Sequence, residues 1–399
     1  MKQRDMRSSS SAVLARALRE CREDTLCLLA DLDAARAAVP YRVTINPPEW
    51  EIGHVGWFQE RWCLRREGRA SLLAQADRCY DSSAIAHSSR WSLDLPSPAT
   101  TRDYLARVLE EALRALAKSP EDDAGCYFHR LSLFHELMHQ EAFAYTWQNL
   151  GFPQPRWRDG RALRDPVVAV AVAAGAEVEF HACGSTLGSD PDTGFVFDNE
   201  KWRAPVRLSS FRIDRVPVSN RAFLAFVEDG GYRRAQWWDP AGWLQLHEQG
   251  REAPLHWQRR DGQWLRVWFG EPEVLDPDTP IVQVSAFEAE AWCRWAGRRL
   301  PAEAEWERAA REPGAMRWGD QVWEWTSSRF EPLPGFSADP YAEYSAPWFG
   351  THRVVRGGSF ATPRALIDSR FRNFYEPHRN DPFIGFRSCA LDRPTPDRR

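Results

Sequence analysis

Four stretches in the first 150 residues place apolar side chains at three- and four-residue intervals, the spacing that lines one face of a helix. They are "SAVLARALRECREDTLCLLADL", "EIGHVGWFQERWCLRREG", "TTRDYLARVLEEALRALAKS" and "YFHRLSLFHELMHQEAFAYTWQNLG". Four such segments predict a helical bundle over about residues 10–155. Pro47 and Pro48 suit the start of the second helix. Thr100 or Thr101 is expected to cap the third, and Gly151 to stop the fourth before the proline-bearing run "FPQPRWRDGRALRDP". Beyond about Pro166 the pattern changes to short β-like runs such as "VVAVAVAAGAEVEF" and "FRIDRVPVS", separated by Gly, Pro and Asp turns. Two helices, in "SNRAFLAFVEDGG" and "SAFEAEAWCRWAG", are expected to interrupt them. The fold class is therefore α followed by α+β, with a loop-rich second domain over residues 167–392.

Composition narrows the function classes. With 399 residues, 43% of them hydrophobic, the chain can bury two cores. A net charge of −4 with dispersed Lys and Arg offers no footprint for nucleic acid or an anionic membrane. No apolar run reaches bilayer length, and the first twenty residues lack the apolar centre of a signal peptide, so a cytoplasmic enzyme is expected. The eight cysteines form no C-x-x-C pair and read as free thiols. Twenty tryptophans, concentrated in the second half, can fill an irregular core or line a ligand cleft.

The candidate chemistry begins in "FHELMHQEAF". His135, Glu136 and His139 have the H-E-x-x-H spacing that puts two imidazoles on one helical face, as in zinc proteases. The protease pattern also needs a third ligand, and no H-x-x-G-x-x-H continuation follows. Upstream, His54 in "NPPEWEIGHVGWFQERW" lies on a second helix and completes a three-histidine face, since bundle metal sites draw on facing helices. Glu141 lies about 200° around the helix from His139 and suits a supporting or packing role. Three neutral imidazoles leave a divalent metal its full charge and open positions. Zinc would then favour hydrolysis, and iron(II) would favour binding substrate and O2 together; ligand type leaves both open.

The second half contains "RLPAEAEWERAAR", "VWEWTSS", "RVVRGGSF" and "GFRSCA" in order. Together these resemble the formylglycine-generating-enzyme-like fold, a C-type-lectin-like scaffold. Joined to a DinB-like four-helix bundle, the chain resembles the ergothioneine-synthesis sulfoxide synthases over nearly all its length. That resemblance implies that His54, His135 and His139 hold Fe(II), and that "YAEYS" supplies the family's tyrosine pair. Tyr341 would donate a proton or hydrogen during oxygen reduction, with Tyr344 beside the organic substrate. It implies hercynine, the trimethylated betaine of histidine, as a small-molecule substrate with O2. The quaternary ammonium would meet aromatic faces such as Phe374, and Asn373 would anchor the carboxylate.

The chain also departs from that pattern. Members that use γ-glutamylcysteine carry R-N-W-D where this chain has "RNFY", Arg372 to Tyr375, so Tyr375 stands where the acidic residue would be. The arginine-rich stretch before the third helix is reduced to "AHSSRWSLDLPSP", with Arg90 its only cation. Met138 replaces a usual glutamine, and the segment between Trp306 and Val322 is shortened. These changes resemble the selenoneine-forming branch, in which a neutral selenosugar is the donor. The alternatives are a sulfoxide synthase using γ-glutamylcysteine or cysteine, an ovothiol-type reaction on histidine, and a non-catalytic metal-binding and lectin-like module. The cysteine pair of formylglycine-generating enzymes is not apparent.

Overall fold

The helical periodicity of the first 150 residues is realised as four long helices, α1 Ser11–Leu28, α2 Pro48–Cys63, α3 Pro98–Leu116 and α4 Asp123–Leu150. The computed structural model describes residues 4–30, 39–66, 68–158, 163 and 176–391. Along α3 the buried positions are Thr101, Tyr104, Leu105, Val108, Ala112 and Leu116, one stripe at helical spacing. Each large apolar side chain so buried contributes roughly 1.5–3 kcal/mol. Helices α1 and α2 each pack on α4, and α3 lies against α2. The helix ends follow local chemistry. Pro48 occupies the first turn of α2, where its missing N–H is not needed. Gly151 ends α4 at φ 68°, a left-handed conformation that a residue with a Cβ adopts only at a cost. The expected Thr100 or Thr101 cap on α3 is corrected. Ser97 takes that role by accepting the Thr100 N–H at 3.2 Å, because Pro98 fixes the first helical turn two residues earlier.

The chain divides into two compact units. The first comprises Met1–Leu163 together with Asp192–Val196 and Thr362–Leu366; the second comprises Arg164–Pro191, Phe197–Ala361 and Ile367–Arg399. The two short segments within the first unit have specific seats. Phe195 stacks on Phe134 with ring centroids 5.2 Å apart, and Thr362 donates to the Glu141 carboxylate at 2.8 Å.

The second unit is loop-rich and built on short sheets. Strands β1 Glu177–Phe180, β4 Phe211–Asp214, β8 Arg298–Arg299 and β13 Cys389–Ala390 form one sheet in the order β1-β4-β13-β8. Strands β9 Trp323–Arg329, β10 Arg353–Arg356, β11 Asn373–Tyr375 and β12 Ile384–Gly385 form a second, ordered β11-β10-β9-β12. Only the β12 and β9 pair in it is parallel. A two-stranded ribbon, β2 Cys183–Leu187 with β3 Ala204–Leu208, and a meander of β5 Trp257–Arg260, β6 Gln263–Trp268 and β7 Glu271–Val274 are the remaining strands among the described residues. The β-like run expected from Val167 is a strand from Glu177 to Phe180; its part before residue 176 lies outside the described residues.

Among the described residues, four α-helices accompany these strands rather than the expected two: α5 Asn220–Glu228, α6 Pro240–Glu248, α7 Ala286–Trp295 and α8 Glu303–Ala310. Helix α6 buries only Gly242 and Leu246, and α8 buries Glu303, Glu305 and Glu307 beside Trp306 and Ala309, so neither reads as an apolar stripe. Their starts carry the signal instead, with Asp239 capping the Ala241 N–H at 2.9 Å before α6 and Glu305 accepting the Ala302 N–H at 2.7 Å before α8.

The ordered sequence motifs of this unit converge on buried ion pairs. Glu324 of β9 accepts the Trp306 indole N–H at 2.7 Å and pairs with Arg387; neither Glu324 nor Arg387 is exposed. Glu307 of α8 pairs with Arg356 of β10, and Glu303 with Arg372 at 2.7 Å. Burial raises Glu307 to about 7 although Arg356 opposes the shift. At Glu303 burial acts in the same upward direction, but Arg372 and Arg356 outweigh it and hold the carboxyl below its ordinary value.

Candidate metal centre

The site grows from α2 and α4, which face each other in the bundle. His135 and His139 stand one helical turn apart on α4, and His54 of α2 meets them. The ring centroids lie 5.1 Å apart for His54 and His135, 5.3 Å for His54 and His139, and 4.5 Å for His135 and His139. One nitrogen from each ring falls within 4.8 Å of the others, a spacing that one metal ion can bridge. Among the described residues this is the one group of three His, Cys, Asp or Glu side chains so disposed.

Aromatic walls and acceptors orient the rings. The His135 ring lies flat on Phe58 with centroids 3.5 Å apart, and His54 stacks on Trp50 at 4.9 Å. His54 Nδ1 lies 2.9 Å from the Tyr80 carbonyl. A carbonyl only accepts, so Nδ1 carries the proton and Nε2 keeps its lone pair for a metal. His139 Nδ1 lies 2.5 Å from Glu51 Oε1, which leaves Nε2 of that ring in the same state. Burial, with His139 nearby, pushes His54 down to about 3 against the opposing bond to Tyr80. Burial also holds His135 well below the usual imidazole range, again with His139 and His54 adding to the effect. Both rings are therefore neutral donors near pH 7. This donor set fits a divalent transition ion.

The geometry disposes of the protease arrangement. Glu136, the glutamate of H-E-x-x-H, is 2% exposed and held in a two-pronged pair with Arg22, at 2.8 and 3.0 Å. Arg22 is further tied to Gln59 and to the Leu105 carbonyl. Glu136 is thus a structural anion of the bundle and not a free general base. Glu141 accepts from Thr362 and supplies no atom to the histidine group.

The other expected site residues fall into two sets. In the first unit, Met138 is half-buried between the two α4 histidines in sequence. Arg90 donates to Asn46 Oδ1 at 2.6 Å, reaches the Ser82 and Ile85 carbonyls, and lies over the Trp50 ring at 4.0 Å. Arg90 thereby braces the loops behind α2. In the second unit, Tyr341 and Tyr344 have ring centroids 5.9 Å apart, and Tyr344 stacks on Phe197 at 4.3 Å. Phe374 meets Tyr344 edge-on at 6.0 Å and stacks on Phe330 at 4.0 Å. Asn373 Oδ1 accepts the Phe374 N–H at 2.8 Å, and Arg379 lies over the Tyr375 ring. Tyr341, Tyr344 and Phe374 thus form one chain of ring contacts, and Asn373 and Tyr375 flank Phe374 on β11. All eight cysteines are free thiols, as the sequence implied.

Sequence reasoning passed over Glu51. The signal was present: Glu51 precedes His54 by three residues, and positions i and i+3 share a helical face.

A helical unit that gathers three imidazoles from facing helices, in one chain with a sheet-and-loop unit knit by buried Glu–Arg pairs, defines a class: a DinB-like bundle fused to a formylglycine-generating-enzyme-like domain. Residues 17–148 match the DinB superfamily, and residues 169–321 and 314–392 match the sulfatase-modifying factor enzyme 1-like domain. The chain is 36% identical over 437 residues to a hercynine oxygenase of Mycolicibacterium thermoresistibile, an alignment covering 96% of each protein. It is likewise 36% identical to the hercynine oxygenase of Mycobacterium tuberculosis, over 95% of this chain and 99% of that one. Ergothioneine biosynthesis protein 1 of Schizosaccharomyces pombe is 25% identical over 88% of this chain and 52% of its own length. The chain belongs to the hercynine oxygenase family. None of its described helices is long and apolar enough to cross a membrane.

Proposed function

We propose that this protein is a non-heme iron(II) enzyme that uses O2 to join a chalcogen to the imidazole carbon of hercynine, with a neutral selenosugar or thiosugar as the favoured donor. The observation that carries the reading is the three-imidazole group, with His54 and His135 buried and His139 half-buried, on the α2 and α4 helices of a chain that aligns with hercynine oxygenases over 96% and 95% of its length. Iron(II) at His54, His135 and His139 would keep positions open for a substrate imidazole and O2 and supply electrons for oxygen reduction. The overall step balances without another reductant. Hercynine loses one ring hydrogen, the donor loses its S–H or Se–H hydrogen, and the C–S or C–Se bond forms. One oxygen atom ends on the chalcogen and the other leaves as water, so four electrons pass to O2.

The protein's own residues serve this step by position. Tyr80 and Glu51 hold the Nδ1 protons of His54 and His139, and Phe58 and Trp50 fix two ring planes. Tyr341 is assigned the delivery of a proton or hydrogen to reduced oxygen, and Tyr344 a place beside the organic substrate. Phe374 offers an aromatic face to the trimethylammonium group, and Asn373 a polar group to the carboxylate.

The donor preference is supported by missing charge. γ-Glutamylcysteine would bring two carboxylates and an ammonium out of water, each costly unless paired. Arg90 is already committed to Asn46 and two loop carbonyls, and Tyr375 offers a phenol where an acid would meet the ammonium. Sugar hydroxyls ask only for hydrogen bonds and aromatic faces. The test is anaerobic loading with iron(II), then O2 with hercynine and equal concentrations of selenosugar, thiosugar, γ-glutamylcysteine and cysteine, read by mass spectrometry. A higher kcat/KM for a sugar donor is expected. Preference for γ-glutamylcysteine or cysteine returns the protein to the ergothioneine reaction. In the same assay Tyr341→Phe should lose C–S or C–Se bond formation while still binding hercynine; an unchanged product yield would remove the role given to Tyr341.

A further inference from the structure

Glu51 is 1% exposed, lies three residues before His54 on α2, and places Oε1 2.5 Å from His139 Nδ1. We propose that Glu51 is a positioning residue for the metal centre: its carboxylate fixes the tautomer and ring plane of His139, and it sets one negative charge behind an otherwise neutral ligand set. The inference rests on His54, His135 and His139 being the metal ligands.

Glu51 and His139 are complementary. An imidazole that gives Nε2 to a metal presents Nδ1–H on its far side, and a buried acceptor there prevents the ring from flipping to the other nitrogen. His54 meets this need with the neutral Tyr80 carbonyl, whereas His139 meets it with an anion. The difference has consequences for charge. Three neutral imidazoles leave a divalent ion with its full charge in a buried place, and a carboxylate one ring away offsets part of it. A cation also acts on Glu51 from outside the histidine group: Arg90, which lies over Trp50 and is otherwise tied to Asn46. Glu51 thus stands between a fixed cation and the metal ligands. The helix supports the placement, because Glu51 and His54 share a face of α2 and both point at α4.

The test uses metal binding without turnover. The full-length protein, freed of metal, is titrated with Co(II) and followed by its visible absorption, for wild type, Glu51→Ala, Glu51→Gln and His139→Ala. The side-chain amide oxygen introduced by Glu51→Gln can still accept from Nδ1–H but carries no charge. Wild type should bind one Co(II). Glu51→Ala should bind about 10- to 100-fold more weakly with an altered spectrum, and Glu51→Gln should restore the spectrum with intermediate affinity. Thermal melting of the metal-free proteins identifies any variant that fails to fold, and if Glu51→Ala does, the near-isosteric Glu51→Gln decides. Wild-type affinity in a folded Glu51→Ala or Glu51→Gln, or a Glu51→Gln no better than Glu51→Ala, would overturn the inference. If His139→Ala binds Co(II) as wild type does, the ligand assignment itself fails instead.

Discussion

At the scale of single residues, the histidine group depends on the missing side chain of Gly53. Gly53 precedes His54 on α2, and a Cβ at that position would fall 2.1 Å from Tyr80 Cε1. The helix backbone thus lies directly on the ring whose main-chain carbonyl accepts from His54 Nδ1. Glycine costs a helix interior about 1 kcal/mol relative to alanine, so Gly53→Ala in open space would stabilise the protein. Here the forced contact should reverse the sign, giving a net loss of about 1–3 kcal/mol in thermal or denaturant unfolding, together with weaker metal binding. A stabilised Gly53→Ala would show that the close approach is not maintained. The histidine trio itself was legible in the sequence, since helical spacing and a second inward-facing helix are pattern properties. What Glu136 does was not. Its motif neighbourhood suggests a base, and only the position of Arg22, 114 residues away, makes it a structural anion.

At the scale of elements, the loop bearing Tyr341 and Tyr344 is gripped at two points by one short segment of the second unit. Lys201 pairs with Asp339 at 2.6 and 2.8 Å, and Ser345 donates to Asp198 Oδ1 at 2.5 Å. Burial raises the Asp198 carboxyl above its ordinary value, against the Ser345 bond, which lowers it. Phe197, next to Asp198, stacks on Tyr344. Ser345→Ala removes the donor and leaves a buried carboxylate oxygen without its bond, a loss of about 1.5–3 kcal/mol. Hydrogen exchange in residues 339–348 should rise in that variant while exchange in α2 and α4 stays as in wild type. Unchanged exchange in the loop would mean that the serine is not what orders it. The sequence displayed the tyrosines and not the grip, because Asp198 and Ser345 are separated by 147 positions. Long, periodic helices α1 to α4 were legible for the opposite reason: their signal is local and repeats over several turns. Helix α6 buries only two residues and α8 buries three glutamates, so neither offers an apolar period to read, and all four residues of β7 are exposed, so the meander has no inward-outward alternation there.

At the scale of the whole molecule, the motifs that mark the second unit are parts of its scaffold. Glu324, Arg387, Glu307, Arg356, Glu303 and Arg372 are all buried, and each carboxylate is met by a guanidinium. Burying such pairs is not in itself strongly favourable, but removing one partner strands the other. Arg387→Met leaves Glu324 with the Trp306 indole as its remaining donor and also releases the Asp214 carbonyl. The expected loss is about 3–5 kcal/mol, read as a lowered unfolding transition by calorimetry. A variant with wild-type stability would mean the pair carries little of the fold. These ordered motifs made the family legible from sequence, although what they point to is architecture.

If His54, His135 and His139 hold the iron that oxidises hercynine, the most direct test is the mass of the product made from hercynine and donor under 18O2. Wild type and His54→Ala are compared after identical anaerobic iron(II) loading. Wild type should form a hercynine–chalcogen adduct carrying one labelled oxygen, and His54→Ala should form none. Equal labelled product from His54→Ala would contradict the account.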